Sequence, residues 1–158
     1  MSNNSHFISM TKDGLAKAKE ELKHAKSVER PKAIEAVAVA RAHGDLTENA
    51  EYDAAKEHQA QLEGRIADLE NQIRRAHVVE ISSTDEIVFG AHVKVKEIGS
   101  SDEEEYHLVG AGESNPAQGK ISTASPIGKA LLNRKKGDTV EIEIPNGSIK
   151  MKILDFWY

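Results

Sequence analysis

Apolar positions in the second quarter of the chain recur at alternating spacings of three and four residues. The repeat comprises Tyr52, Ala55, Gln59, Leu62, Ile66, Leu69, Ile73 and Ala76. This alternation is the a/d seam of a coiled coil, and no proline interrupts it. The pattern predicts a helix from Leu46 to about His77, roughly 45 Å long at about 1.5 Å per residue.

A less regular apolar stripe precedes this seam and predicts a first helix from Thr11 to Arg41. Its members are Leu15, Ala18, Leu22 and Ala25 and, after an interruption, Ile34, Val37, Ala38 and Arg41. Proline disfavours helical geometry in the residue before it, so we expect a kink or break near Ser27–Pro31. Because a short connection joins the two stripes, the helices are expected to form an antiparallel hairpin.

After His77 the helical repeat gives way to alternation with a period of two, which indicates β-strands. The candidate strands are Ala91–Ile98, Glu104–Val109, Lys120–Thr123, Thr139–Ile144 and Ser148–Phe156. Pro126–Leu132 indicates a short helix, and an Asn-Gly turn joins the last two strands. The predicted fold class is α+β, with a helical hairpin at 1–78 and an antiparallel β domain with a short helix at 79–158.

Composition narrows the functional classes. The chain of 158 residues has a net charge of −5, so bulk attraction to nucleic acid is not expected. It has no cysteine, which excludes disulfides, thiol nucleophiles and cysteine zinc sites. With no signal-peptide pattern and no apolar run of membrane-spanning length, we expect a cytoplasmic protein without membrane contact.

The connection between the two helices, which we call the tip (residues 44–48), carries two carboxylates, Asp45 and Glu48. One interpretation is structural: Gly44 ends the first helix, Asp45 caps the second, and Glu48 completes a capping box. The other is chemical. Two carboxylates cannot fill the shell of about six oxygens that Mg²⁺ prefers, but they could complete the shell of an ion that another protein already holds.

Residues in and after the tip resemble a family signature. The run from Gly44 to Tyr52, followed by Ala54-Ala55-Lys56-Glu57, is similar to the signature of the Gre family of bacterial transcript cleavage factors. Further matches are Arg30-Pro31, Ala40-Arg41-Ala42-His43, Glu63-Gly64-Arg65-Ile66, Phe89-Gly90-Ala91 and Ser125-Pro126-Ile127-Gly128. The resemblance covers the chain from about Met10 to its C-terminus.

The resemblance implies a function. Members of this family bind bacterial RNA polymerase at the rim of its secondary channel and pass the coiled coil down to the catalytic centre. By position, the family's catalytic acids are Asp45 and Glu48, which would help to hold a Mg²⁺ ion shared with the polymerase. The polymerase then hydrolyses the backtracked RNA near its 3′ end, so the factor is not an enzyme by itself.

The resemblance also implies contacts and a fold for the second half. Arg41 and Lys56 are candidates for contact with the RNA 3′ end, although ordinary charge on a helix face would also explain them. Ser125, Pro126 and Ile127 match the family loop that contacts polymerase, and turn formation explains Ser-Pro equally well. The C-terminal half is expected to be FKBP-like, the factor to act as a monomer, and the isolated protein to hold no Mg²⁺.

Three other functional classes remain open. An inhibitory protein of the same shape would block the channel without promoting cleavage. A prolyl isomerase would need an aromatic-lined pocket in the FKBP-like half. A plain coiled-coil scaffold would leave Asp45 and Glu48 as helix caps only.

Overall fold

The computed structural model describes residues 7–44, 49–80 and 84–158, and the chain forms two compact units. One unit is Asp13–Ala76, and the other combines Phe7–Lys12 with His77–Tyr158. The α+β prediction, with a helical hairpin and a β domain that carries a short helix, is confirmed. No helix in the described ranges is long and apolar enough to cross a membrane.

The first unit is a hairpin of helices. Its elements are α1 (Lys12–His24), a π-helix (Ala25–Glu29), α2 (Arg30–Ala42) and α3 (Ala50–Arg75). Ion pairs join Lys26 to Glu70, Arg30 to Glu63, and His43 to Glu51. As the residue numbers increase from Lys26 to His43, those of their partners on α3 decrease from Glu70 to Glu51. The chain segment from α1 to α2 is therefore antiparallel to α3.

The interruption expected near Pro31 is a π-helix, and the helical run continues through it. Pro31 has no backbone N–H, and in a regular α-helix its ring would clash with the carbonyl four residues earlier. The wider π turn, in which the Arg30 N–H donates to the Ala25 carbonyl, accommodates this proline. A π-helix usually occurs as a single turn inside an α-helix and adds a residue to it.

This added residue shifts the hydrophobic repeat. Ala18 and Ala25 are buried seven residues apart, and so are Ala33 and Ala40, but eight residues separate Ala25 from Ala33. The predicted continuation of the stripe through Ile34, Ala38 and Arg41 is therefore wrong, since these three side chains are exposed. On α3 the predicted seam is buried at its centre, at Leu62, Ile66 and Leu69.

The second unit contains a five-stranded sheet with strand order β5-β4-β3-β7-β6. These strands are β3 (His92–Glu97), β4 (Glu103–Val109), β5 (Lys120–Ser122), β6 (Thr139–Ile144) and β7 (Gly147–Trp157). The sheet is not wholly antiparallel as predicted, because β4 and β5 pair in parallel. Two short 3-10 helices, Ala111–Glu113 and Pro116–Gln118, form the connection that a parallel pair requires.

A second, two-stranded sheet pairs β1 (Ile8–Met10) with β2 (Ala76–Val78). Neither strand is predicted by the sequence pattern, because three residues are too few for alternation to be recognised. Thr11 follows β1, and both its N–H and its hydroxyl donate to the Glu113 carboxylate. This contact holds the N-terminal segment within the second unit.

The core of the second unit lies between one face of the five-stranded sheet and α4 (Pro126–Leu131). Its largest fully buried side chains include Ile87, Leu108, Leu131, Ile142 and Ile153. Gly128 permits the close approach of α4, because a Cβ at this position would collide with the carbonyl oxygen of Ser122.

Candidate functional site

Asn49 joins the two helices at the tip end of the hairpin. Its side-chain oxygen accepts a hydrogen bond from the Tyr52 N–H at 3.1 Å and so caps α3. Its side-chain nitrogen donates to the carbonyl oxygen of Ala40 at 2.8 Å, in the last turn of α2. The prediction that Asp45 is the N-cap of the second helix is therefore wrong, because that helix begins at Ala50 and Asn49 fills the role.

Asp45 and Glu48 themselves lie outside the described residues, and their catalytic and metal-binding roles stay predictions. The residues on both sides of them are described. Gly44 has φ +103°, a left-handed conformation suited to the end of a helix. Beside the tip, His43 Nδ1 lies 3.2 Å from a carboxylate oxygen of Glu51.

Arg41 lies over the ring of Tyr52, with its guanidinium carbon 5.9 Å from the ring centroid. Arg41 is exposed and Tyr52 is half-buried, so the cation keeps access to solvent while its side chain is positioned by a cation–π contact. Lys56 is exposed one helical turn after Tyr52 on α3. The structure thus brings Arg41 onto Tyr52 and leaves Lys56 as a solvated cation on the same half of the hairpin.

The described part of the chain contains no group of three or more His, Asp or Glu side chains that could hold a metal ion.

The three residues predicted to bind polymerase lie at one wall of an apolar groove of about 320 Å³ in the second unit, which we call the C-terminal groove. The lining residues are Ser114, Pro116, Ile121, Ser122, Ser125, Pro126, Ile127, Ile142, Glu143, Ile144 and Pro145. Ser125 caps α4, since its hydroxyl oxygen accepts from the Gly128 N–H at 3.1 Å and the hydroxyl donates to the Ser122 carbonyl at 2.7 Å. Pro126 is exposed and Ile127 half-buried, so these two present apolar surface at the groove.

Ion pairs around the π-helix were missed by sequence reasoning. Arg30 donates two hydrogen bonds to the Glu63 carboxylate, at 2.7 and 2.8 Å, and Arg65 donates to Glu29 at 2.6 Å. The Arg30 guanidinium lowers the pKa of Glu63, and hydrogen bonds from His24 and then Arg65 lower the pKa of Glu29. The Arg30–Glu63 pair could have been found from the sequence, because its two partners lie in the motifs Arg30-Pro31 and Glu63-Gly64-Arg65 that match the family.

A row of stacked rings on the five-stranded sheet was also missed. His92 stacks on His107 with centroids 4.0 Å apart and on Trp157 at 5.7 Å. The three residues are register partners across β4, β3 and β7, so the strand pairing itself creates the stack. Burial, followed by repulsion from His92 and Lys120, lowers the pKa of His107.

Family models match both units of the chain. The model described as "Transcription elongation factor, N-terminal" matches residues 8–78, and the model described as "Transcription elongation factor, GreA/GreB, C-term" matches residues 82–158.

Individual proteins are similar over almost their whole length. Transcription elongation factor GreA of Anaeromyxobacter sp. is 49% identical over 148 residues, covering 92% of this chain and 89% of the relative. The GreA of Rhodospirillum rubrum is 52% identical over 143 residues, covering 89% and 91%. Among solved structures, the GreA factor homolog 1 (Gfh1) of Thermus thermophilus is 27% identical, covers 96% of this chain and 99% of its own, and has a TM-score of 0.45. By its two family matches and the two GreA relatives, the chain belongs to the GreA/GreB family of transcription elongation factors.

Proposed function

We propose that this factor inserts its helical hairpin into the secondary channel of bacterial RNA polymerase and stimulates Mg²⁺-dependent hydrolysis of backtracked RNA. Cleavage near the RNA 3′ end restores a 3′ hydroxyl at the polymerase's catalytic centre and rescues arrested complexes. The polymerase supplies the active site, so the chain acts as a monomeric, cytoplasmic stimulating factor and not as an enzyme.

The observation that carries the proposal is the capping of α3 by Asn49. The structural interpretation of the tip needed Asp45 as the N-cap, with Glu48 completing a capping box. Since the Asn49 amide supplies the acceptor for the Tyr52 N–H, that cap does not require the carboxylate. The two acids then need another explanation, which the family resemblance offers as a shared metal site.

Asp45 and Glu48 would supply carboxylate oxygens to a Mg²⁺ ion that the polymerase also holds. Such an ion supplies charge stabilisation for phosphoryl transfer and lowers the pKa of a bound water. The chain's own contribution is to carry the two carboxylates on a helical hairpin in which the last turn of α2 is tied to α3 through Asn49 and Ala40.

Arg41 and Lys56 are proposed to contact the phosphates of the RNA 3′ end. Arg41 is held over Tyr52 and exposed, so little side-chain freedom is lost when it binds a phosphate. The net charge of the whole protein is negative, so this attraction is local to the hairpin.

The C-terminal groove is proposed to bind polymerase through Pro126 and Ile127. The groove is apolar, and exposed Pro126 at its edge belongs to the loop that resembles the family's polymerase contact. The isomerase alternative is disfavoured, because no aromatic residue lines the described groove.

The test uses purified RNA polymerase stalled in a backtracked complex, with 3′-labelled RNA and Mg²⁺. The Asp45→Asn, Glu48→Gln double variant removes the carboxylate charges and should slow release of the labelled fragment by at least about 100-fold, as loss of a group that stabilises a transition state does. Asp53→Asn is the matched control, since Asp53 is an exposed acid in the first turn of α3 outside the tip.

Binding to the same complexes separates the alternatives. A double variant that binds like wild type but does not release RNA supports a catalytic role for the acids. Wild-type protein that binds and releases nothing would favour the inhibitory class. For the groove, Ile127→Asp should weaken binding, whereas Ile98→Asp, exposed elsewhere in the second unit, should not.

A further inference from the structure

Tyr52 lies where the last turn of α2 meets the first turn of α3. It is half-buried, and its backbone N–H donates to the side-chain oxygen of Asn49 at 3.1 Å. The ring therefore stands on a backbone that the helix cap holds in place, and it contacts a cation on the opposite helix, Arg41. Packing in the seam accounts for the half-burial of Tyr52, but it does not require a cation beside the ring.

Arg41 differs from two other arginines that reach across the hairpin. Arg30 donates two hydrogen bonds to the Glu63 carboxylate, and Arg65 donates one to Glu29. Among the ion pairs of the described residues Arg41 has no carboxylate partner, and its guanidinium carbon instead lies 5.9 Å from the centroid of the Tyr52 ring.

A ring and a carboxylate hold a guanidinium in different ways. A carboxylate accepts the N–H groups and neutralises the charge, whereas a ring attracts the cation through its π face and leaves the five N–H donors available. Arg41 therefore keeps its charge and its donors, while the ring restricts where the guanidinium lies. This combination suits a bidentate contact with a phosphate, which matches the planar fork of a guanidinium.

We propose that Tyr52 is a positioning residue for RNA binding, which holds the Arg41 guanidinium where it meets a phosphate of the backtracked RNA 3′ end. This inference rests on the proposed function, because it assigns Tyr52 a task in the same RNA contact. Tyr52 acts through Arg41 and does not itself touch the RNA. Two residues on opposite helices thus form one unit beside the tip, in which the ring supplies the orientation and the guanidinium supplies the charge.

The test is a double-mutant cycle, measured as the rate of RNA release from the backtracked complex at subsaturating factor. Arg41→Gln should lower this rate about tenfold or more, because charge-assisted hydrogen bonds to phosphate are lost. Tyr52→Leu keeps an apolar residue in the seam but removes the ring, and should lower the rate about three- to tenfold. In the Arg41→Gln background Tyr52→Leu should change the rate less than about twofold, because no guanidinium remains to be positioned.

Further variants separate positioning from packing. Tyr52→Phe keeps the ring face and should stay within about twofold of wild type, whereas Arg41→Lys keeps the charge but not the planar fork and should fall about three- to tenfold. Ile66→Val is the matched control, since Ile66 is buried in the seam away from Arg41. Any change that Ile66→Val makes in the rate should be the same in the wild-type and Arg41→Gln backgrounds.

The contact itself can be measured in the free factor, without polymerase. Side-chain protons that lie over an aromatic ring are shifted upfield in an NMR spectrum. Tyr52→Leu should remove this shift from the Arg41 protons, and Tyr52→Phe should keep it. Absence of the shift in wild type would overturn the proposal, as would an unchanged release rate in Arg41→Gln.

The outcomes keep the two proposals apart. If wild type binds the backtracked complex but releases no RNA, the proposed function fails and the role of Tyr52 in it fails as well. If wild type releases RNA and Arg41→Gln slows release, but Tyr52→Leu slows it equally in both backgrounds, only the role of Tyr52 is overturned. Loss of the Tyr52→Leu effect in the Arg41→Gln background, together with the upfield shift in wild type, supports the proposal.

Discussion

The side-chain nitrogen of Asn49 lies 2.8 Å from the carbonyl oxygen of Ala40 and donates a hydrogen bond to it in the last turn of α2. The side-chain oxygen of the same amide accepts from the Tyr52 N–H and caps the first turn of α3. Carbonyls in the last turn of a helix lack partners within that helix, as do the N–H groups of the first turn. A single residue therefore hydrogen-bonds to groups at both helix ends beside the tip, where the Ala40 carbonyl also accepts from the His43 N–H at 3.3 Å.

Asn49→Ala is expected to lower the free energy of unfolding by about 1–2 kcal/mol, since it removes both the cap and the bridge to Ala40. Asn49→Asp keeps an acceptor for the Tyr52 N–H but cannot donate to Ala40, so it should lose about 1 kcal/mol or less. Urea unfolding measures both. Equal stability of wild type and Asn49→Ala would mean that the two hydrogen bonds contribute nothing net.

Deleting Ser27 together with Pro31→Ala should remove the π-helix and leave a continuous α-helix. Ala25 and Ala33 would then be seven residues apart, so the seam is preserved and the stability should change by less than about 1 kcal/mol. Deleting Lys19 with Pro31→Ala is the control. It breaks the heptad between Ala18 and Ala25 and should lower the melting temperature markedly, because small buried residues rotate away from α3.

Backbone hydrogen bonds measured by NMR would identify the cause of the π turn. Pro31→Ala alone is expected to keep it, because the spacing of the buried alanines still requires the extra residue. Its disappearance in that single variant would assign the π turn to proline alone.

Acidification should destabilise the second unit through His107. The pKa of His107 is lowered by burial, so between that value and the unfolded pKa of about 6.5 the unfolded chain binds more protons than the folded one. Stability therefore rises with pH in this window and is lost as pH falls below about 6.5. His107→Phe should flatten the difference in unfolding free energy between pH 7 and pH 5, whereas exposed His58→Gln should leave it unchanged. An unchanged slope in His107→Phe would contradict the assignment.

Two glycines should respond oppositely to alanine. Gly128→Ala would drive a Cβ into the Ser122 carbonyl and is expected to cost about 1–3 kcal/mol, as overpacking does. A Cβ at Gly64, inside α3, would meet no atom within 4 Å, so Gly64→Ala should stabilise the hairpin by about 0.5–1 kcal/mol. Thermal unfolding of the two variants beside wild type would test both signs, and a stable Gly128→Ala would show that α4 can shift without loss.

The helices and the four longer strands, β3, β4, β6 and β7, could be predicted because each carries a periodic pattern, and β6 has the predicted bounds Thr139–Ile144. The register of α2 could not be predicted from the sequence. Its residues 33, 36, 37, 38 and 40 are all small and apolar, so more than one face of the helix could form the seam with α3. Only the position of the π turn decides between them, and that depends on helix contacts and not on local composition.

The cap at Asn49 could not be predicted from the sequence either. Asp45 and Asn49 both have side chains that can cap a helix, and the choice depends on where α2 ends and on the Ala40 carbonyl, which lies nine residues away in sequence. The parallel pairing of β5 also depends on a tertiary contact, because its three residues carry no signal of direction.

The seam of the hairpin pairs large side chains with small ones. Leu62 and Ile66 of α3 share one buried cluster with Ala25 of the π-helix and Ala33 of α2. Because the distance between packed helix axes follows the size of the side chains at the contact, the two alanines leave room for the bulky residues of α3 without separating the helices. Larger residues at Ala25 and Ala33 would therefore push α3 outward, so two small side chains set how slender a hairpin this chain can build.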